Sequence, residues 1–180
     1  MASDARPPAV EALDRLDDHA CLAALAPLFE GAPRFLGRLV AIRPFGDPAT
    51  LFARAREIAH AMPEAEQVEL IDAHPRLGAA PGSVSALSFR EQGYDGDAPT
   101  GAAAAEMELA RIAAELERLN DGYETRFGFR YCVFVAGRPR AALLPAMAEA
   151  LGADRDAELH RALDAVVDIA ADRYRGLPAG

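Results

Sequence analysis

Apolar residues at Met107, Leu109, Ile112, Leu116, Leu119 and Tyr123 recur at the three-to-four spacing of a single helix face. The stripe predicts a long helix from Thr100 to about Arg126, ended by Phe127-Gly128-Phe129, with the stripe serving as core or dimer interface. The run behind it, Tyr131-Cys132-Val133-Phe134-Val135-Ala136, is apolar, β-branched and aromatic, and taken alone reads as a buried strand. One strand cannot make a sheet, and no other segment of the sequence offers it a partner. It is therefore expected as a buried extended segment inside an all-α fold.

The rest of the chain fits that expectation. Leu13, Leu16, Cys21, Leu22, Leu25 and Leu28 predict two short helices after Val10, with His19 near their junction. Phe29-Glu30-Gly31-Ala32-Pro33 marks a turn, and Phe35, Leu36, Leu39, Val40 and Ile42 make another short helix. Arg43-Pro44-Phe45-Gly46-Asp47-Pro48 stops it, because both prolines break helix continuity. Asp47 is suited to cap the next helix, with Pro48 at its first position and Leu51, Phe52, Ala55, Ile58, Ala59 and Met62 on its apolar face. Pro63, Glu64 and Glu66 open a further helix that carries Val68, Leu70 and Ile71 into His74. Two more helices are expected around Pro139 to Leu151 and Asp154 to Arg175. No repeat or linker interrupts the pattern, so residues 1–180 read as a single domain, with residues 1–8 a loose terminus.

Composition removes several classes. The formal net charge is −9, every positive side chain is arginine, and there is no basic run, which argues against nucleic-acid binding. No apolar stretch approaches the ~20 residues of a membrane helix, and no secretory h-region opens the chain. A soluble cytoplasmic protein is the expectation. Cys21 and Cys132 lie far apart in apolar settings and read as free buried thiols. No histidine pair has metal-ligand spacing, so no metal is expected, and His19, His60 and His160 read as surface or packing residues. Arg54, Arg56 and the acidic face from Glu106 to Glu117 read as solvated helix surface.

The chemistry-bearing groups concentrate between Asp72 and Gln92. Pro75 disfavours αR geometry at the preceding residue, so His74 is expected at a helix end, its ring pointing away from the core and adding little to packing. Arg76 reads as a loop anchor through a salt bridge. A Pro81-Gly82 turn follows, then Ser85, Ser88, Arg90, Glu91 and Gln92, and after them a polar loop over Gly93 to Gly101.

Three blocks then appear in a familiar order: Ala73-His74-Pro75-Arg76-Leu77-Gly78; Ser85, Ser88, Glu91 and Gln92; and Leu119-Asn120, Tyr123, Arg126-Phe127-Gly128-Phe129 and Tyr131. A weaker echo is Phe29-Glu30-Gly31-Ala32-Pro33 followed by Arg43-Pro44-Phe45, with Arg34 where the family usually has Trp. On these residues, from about Leu25 to Arg173, the chain resembles the decarboxylases of 2-oxo-4-hydroxy-4-carboxy-5-ureidoimidazoline (OHCU). The resemblance implies an all-helical homodimer without cofactor. It also implies a small-molecule ureidoimidazoline substrate, converted to (S)-allantoin with loss of CO2 in urate breakdown. It further implies that Pro75, the run Ser88-Phe89-Arg90-Glu91-Gln92 and the segment Tyr131-Cys132-Val133-Phe134-Val135 contact substrate, with Arg173 the positional counterpart of an arginine in the last helix.

The chemistry suits those residue types. Losing CO2 beside an imine-type carbon leaves a delocalised anion, and the ring itself is the electron sink. His74, with an ordinary pKa near 6.5, fits a proton donor. Glu91 fits an acceptor for the substrate hydroxyl, Gln92 can pair with an amide-like ring edge, and Ser88 can donate to ring or ureido oxygens. Two other readings stay open here: an enzyme for another hydroxylated ureido heterocycle, and an inactive helical binding module. The joint presence of His74, Glu91 and Gln92 argues against the inactive module, because folding requires no such trio.

Overall fold

The computed structural model describes residues 8–79, 85, 87, 91, 92 and 103–176. The loose terminus, the Pro81-Gly82 turn, the Gly93–Gly101 loop and the site residues Ser88, Phe89 and Arg90 lie outside the described residues, apart from Pro8. Among those described, eight α-helices and one 3-10 helix occur, with no strand. The α-helices are α1 (Val10–Leu13), α2 (Asp18–Leu25), α3 (Pro33–Ala41), α4 (Pro48–Ala61), α5 (Glu64–Asp72), α6 (Ala103–Phe127), α7 (Arg140–Ala150) and α8 (Arg155–Gly176). The 3-10 helix spans Ala26–Phe29. The chain divides into two compact units, one made of Met1–His74 with Leu159–Gly180, the other of Pro75–Glu158.

The first unit is closed by short helices whose ends are fixed by side chains. Asp47 caps α4 as expected, its Oδ1 accepting from Thr50 N at 2.9 Å and its Oδ2 from the Thr50 hydroxyl at 2.8 Å. Those bonds hold the Asp47 carboxyl below its ordinary pKa. Arg43 explains its own motif: it donates to Leu13 O at 3.2 Å, Leu16 O at 2.6 Å and Val40 O at 3.0 Å, and pairs with Asp18. Asp14 accepts from Phe45 N and Gly46 N, each at 2.8 Å, so the Arg43-Pro44-Phe45 turn is tied to the end of α1. Phe29, Phe35, Leu36, Leu39, Leu51, Leu70, Leu163 and Val166 are fully buried among these helices. Arg34 is an exposed residue paired with Glu69 at 2.9 Å, so the departure at that position falls on the surface. Arg56 is not simply solvated: it bonds Asp164 at 2.5 Å and Asp168 at 2.7 Å, one turn apart on α8. His60 joins the same carboxylate at 2.8 Å and packs against His160, with ring centroids 5.0 Å apart.

The second unit is built on α6. Its apolar stripe is buried only from Leu116 onward; Met107 is 74% exposed, and Leu109 and Ile112 are half-buried. At the buried end Tyr123 meets Phe127, Tyr131 and Phe129 at centroid separations of 4.5, 5.1 and 5.8 Å. Its hydroxyl donates to Glu158 Oε2 at 2.7 Å, which gives that buried carboxylate a partner. Gly128 ends the helix in the left-handed region at φ 79°, where its N–H bonds Glu124 O at 2.9 Å. Residues 130–135 then run without regular structure, with Tyr131, Cys132 and Val135 buried and Val133 and Phe134 half-buried. The segment is largely buried, as expected of it, and its Tyr131 ring packs on Tyr123 of α6. Cys21 and Cys132 are both buried, and no disulfide joins them.

Candidate active site

In the first unit the feature with chemistry is His74. Ala73 continues in αR geometry after α5, and His74 N donates to Ile71 O at 3.1 Å, so the helix finishes one tight turn later. Side chains four apart share a helix face, and Leu70 on that face is fully buried. The imidazole therefore follows Leu70 inward and is only 5% exposed. The expectation that the ring points away from the core, with little part in packing, is wrong. Its Nδ1 faces Leu70 O at 3.4 Å.

Burial pushes the His74 pKa down to about 4, the Arg173 charge lowers it further, and the Glu30 charge opposes that. The unliganded ring is neutral at pH 7. In the unfolded chain it titrates at its ordinary value near 6.5. Between those values the unfolded state binds more protons than the folded one, so stability falls as pH drops through that window. The size is about 3 kcal/mol. Urea unfolding of the wild type at pH 7.5 and pH 4.5, beside His74→Asn, is expected to show a shallower acid loss in the variant. Equal losses in both would contradict the assignment.

Arg173 on α8 acts on His74 through its charge. Its side chain is 1% exposed and pairs at 2.8 Å with Glu30, which is 15% exposed. Nη1 donates to Pro27 O at 3.0 Å and to Leu28 O at 3.2 Å, while Nη2 donates to the Glu30 carboxylate. Glu30 follows the 3-10 helix at φ 51°, a left-handed conformation that costs a non-glycine residue about 1–2 kcal/mol. Sequence reading quoted Glu30 only as part of an echoing motif and gave it no role. A lone acid set among Leu28, Phe29, Phe35 and Leu36 was the available signal.

In the second unit the loop after Pro75 is clamped from several sides. Arg76 acts as the anchor expected of it, Nε to Glu124 at 2.6 Å and Nη2 to Asp121 at 2.6 Å, and these acids raise its pKa. Gly78 sits at φ 81°, and a Cβ there would lie 2.9 Å from Leu116 Cδ1, so both backbone and space require glycine. Gln92 accepts from Gly78 N at 2.7 Å and donates to Arg76 O at 3.2 Å, which braces the loop. Buried Asn120 donates to Leu77 O at 2.9 Å. Asn120→Ala leaves that carbonyl without its donor and is expected to cost about 1–3 kcal/mol, read by urea unfolding; a change too small to measure would show that the loop holds without it.

Glu91 is half-buried on helical backbone, and Pro75 is half-buried. In the extended segment the carbonyls of Phe134 and Val135 accept from Arg138 at 2.6 and 2.9 Å, so Arg138 holds its shape. An open groove of about 550 Å³ lies along the loop and α6, lined by Arg76, Gly78, Ala110, Ala114 and Asn120 among others. The structure thus joins His74 to Arg173 and Glu30 in one unit, and Gln92 to the Arg76–Gly78 loop in the other. Among the described residues no group of three or more His, Cys, Asp or Glu side chains is arranged to hold a metal ion.

The family model for OHCU decarboxylase matches residues 14–175. The chain is 29% identical over 163 residues to the uric acid degradation bifunctional protein PucL of Bacillus subtilis, covering 91% of this chain and 31% of that protein. It is 29% identical over 163 residues to the 2-oxo-4-hydroxy-4-carboxy-5-ureidoimidazoline decarboxylase of Haloferax volcanii, covering 89% of this chain and 90% of the relative. Among solved structures, an OHCU decarboxylase crystallised in the presence of (S)-allantoin superposes with a TM-score of 0.64 at 21% identity, covering 88% of this chain and 96% of that one. An (S)-allantoin synthase gives 0.61 at 17% identity, covering 91% of this chain and 51% of that one.

Proposed function

The chain belongs to the OHCU decarboxylase family, and from that premise we propose that it converts OHCU to (S)-allantoin and CO2 in urate breakdown. The observation that carries the reading is a buried, neutral imidazole beside a buried guanidinium. The overall reaction turns an anionic carboxylate into neutral allantoin and CO2, so it takes up one proton. An arriving carboxylate in a low-dielectric pocket raises the proton affinity of His74, and the ring acquires its proton together with the substrate.

As the C–C bond breaks, its electron pair forms a double bond to the ureido-bearing carbon, and the neighbouring C=N pair moves onto nitrogen. The ring is the sink, and the chemistry calls for no external one. The hydroxyl then becomes a carbonyl, giving its proton to Glu91, and the ureido-bearing carbon gains a proton on one face from His74. The ring nitrogen takes the proton consumed overall. The family resemblance carries Pro75, Ser88, Phe89, Arg90, Gln92, Tyr131, Cys132, Val133, Phe134, Val135 and Arg173 as substrate contacts.

The deciding experiment is turnover of freshly prepared OHCU, followed by NMR and optical activity. The uncatalysed reaction gives racemic allantoin; one enantiomer formed faster than in buffer is expected, and a rate equal to buffer would remove the proposal. Glu91→Gln is expected to lower kcat far more than it raises KM, because the lost interaction belongs to the transition state. A normal kcat would sink the role of Glu91. The same reading carries a cytoplasmic homodimer and a single domain. Sedimentation equilibrium that shows only the 19.1 kDa chain at micromolar concentration would count against the dimer. More than one unfolding transition would count against the single domain.

A further inference from the structure

We propose that Glu30 is a positioning residue for the reaction: its carboxylate fixes the Arg173 guanidinium and balances that charge beside His74. The inference rests on the decarboxylase reading and adds a residue to its machinery. One short turn supplies the whole cradle, because Pro27 O, Leu28 O and the Glu30 carboxylate all accept from Arg173. Glu30 adopts its left-handed backbone at the end of that turn, which sets its carboxylate 2.8 Å from Nη2. Packing alone gives no reason for the pair. A buried ion pair is often matched or exceeded in stability by apolar residues of the same volume, and the neighbouring positions Leu28, Phe29 and Phe35 are apolar and fully buried.

What the pair does supply is two opposed charges acting on one imidazole, Arg173 from α8 and Glu30 from the turn. On α5 itself, Glu69 is drawn to Arg34 and Asp72 lies two residues before the ring. Remove the Glu30 charge, and the guanidinium both loosens and opposes protonation of His74 without a counterweight. The carboxylate therefore keeps the ring able to take a proton when substrate binds, while the cation stays fixed.

The test uses Glu30→Gln and Glu30→Asp in the full chain, with kcat and KM for freshly prepared OHCU across pH and a thermal melt of each sample. Glu30→Gln is expected to lower kcat about 100-fold with KM within a few-fold, as misplacement of a supporting group by ~1 Å can do. Loss of the carboxylate lowers the proton affinity of His74. The limb on which kcat falls with rising pH is therefore expected to move about one unit to lower pH. Glu30→Asp keeps the charge at shorter reach and is expected to leave that limb in place with kcat lowered about tenfold. Wild-type kcat and an unmoved limb in Glu30→Gln, even with a lower melting point, would overturn the inference while the decarboxylase reading stands. Should Glu30→Gln fail to fold, Glu30→Asp decides, and wild-type kcat there overturns it. Absence of turnover in the wild type removes the decarboxylase reading first and this inference with it.

Discussion

His74→Asn is expected to cut stereospecific turnover by about 10²–10⁴-fold, the usual cost of losing a general acid. Asparagine keeps a hydrogen-bonding group near Leu70 O, where the Nδ1 of His74 now lies at 3.4 Å, but it cannot carry a proton between solvent and substrate. Because the ring is only 5% exposed, the substitution also disturbs packing, and a melting-point loss worth about 1–3 kcal/mol accompanies it. The two effects separate by experiment. Rates corrected for the folded fraction, measured well below the melting point, isolate the chemical loss. A variant that retains more than about a tenth of the wild-type rate would end the assignment of His74 as proton donor.

Why the sequence placed His74 at the correct helix end but on the wrong side of it is instructive. Pro75 does fix where the helix stops, since the residue before proline is steered from αR geometry. Where the ring goes is decided by Leu70 and Ile71, four and three residues upstream and fully buried, and that periodicity was present in the sequence. The helix starts at Pro48 and Glu64 were legible for the opposite reason: proline and first-turn acids act locally, so no tertiary information is needed. The extended segment was legible because a lone β-like run has no possible partner. Non-local pairs were not legible. Arg173 and Glu30 are 143 residues apart, and the apolar neighbours of Glu30 hint at its burial without naming its partner. Arg76 was read as an anchor, but nothing in the sequence named its partners Asp121 and Glu124, 45 and 48 residues further on. Gln92 shows the converse: its amide, expected on a substrate edge, spends bonds on Gly78 N and Arg76 O to hold the loop.

Arg173→Met is expected to be the most destabilising single change proposed for this chain. Methionine fills much of the volume of the arginine stem but leaves the Glu30 carboxylate, 15% exposed, without its cation and the Pro27 and Leu28 carbonyls without their shared donor. Removing one member of a buried pair costs about 3–5 kcal/mol, a large share of the ~5–15 kcal/mol that holds a typical domain together. For a chain of this size the melting point is expected to fall by roughly 6–20 °C. His74 responds in the other direction: without the cation that depresses it, the ring regains proton affinity, and less stability is lost on acidification from pH 6.5 toward pH 4. The double variant Arg173→Met/Glu30→Leu tells whether the pair serves stability or chemistry. It removes both charges together, so it is expected to recover most of the lost melting point, since apolar replacement of a whole buried pair is often neutral or stabilising. It is also expected to stay at least 100-fold less active than wild type, because neither charge remains beside His74. A single variant that melts within about 2 °C of wild type would show that the pair is not buried as described, and a double variant with full activity would show that the reaction has no use for it.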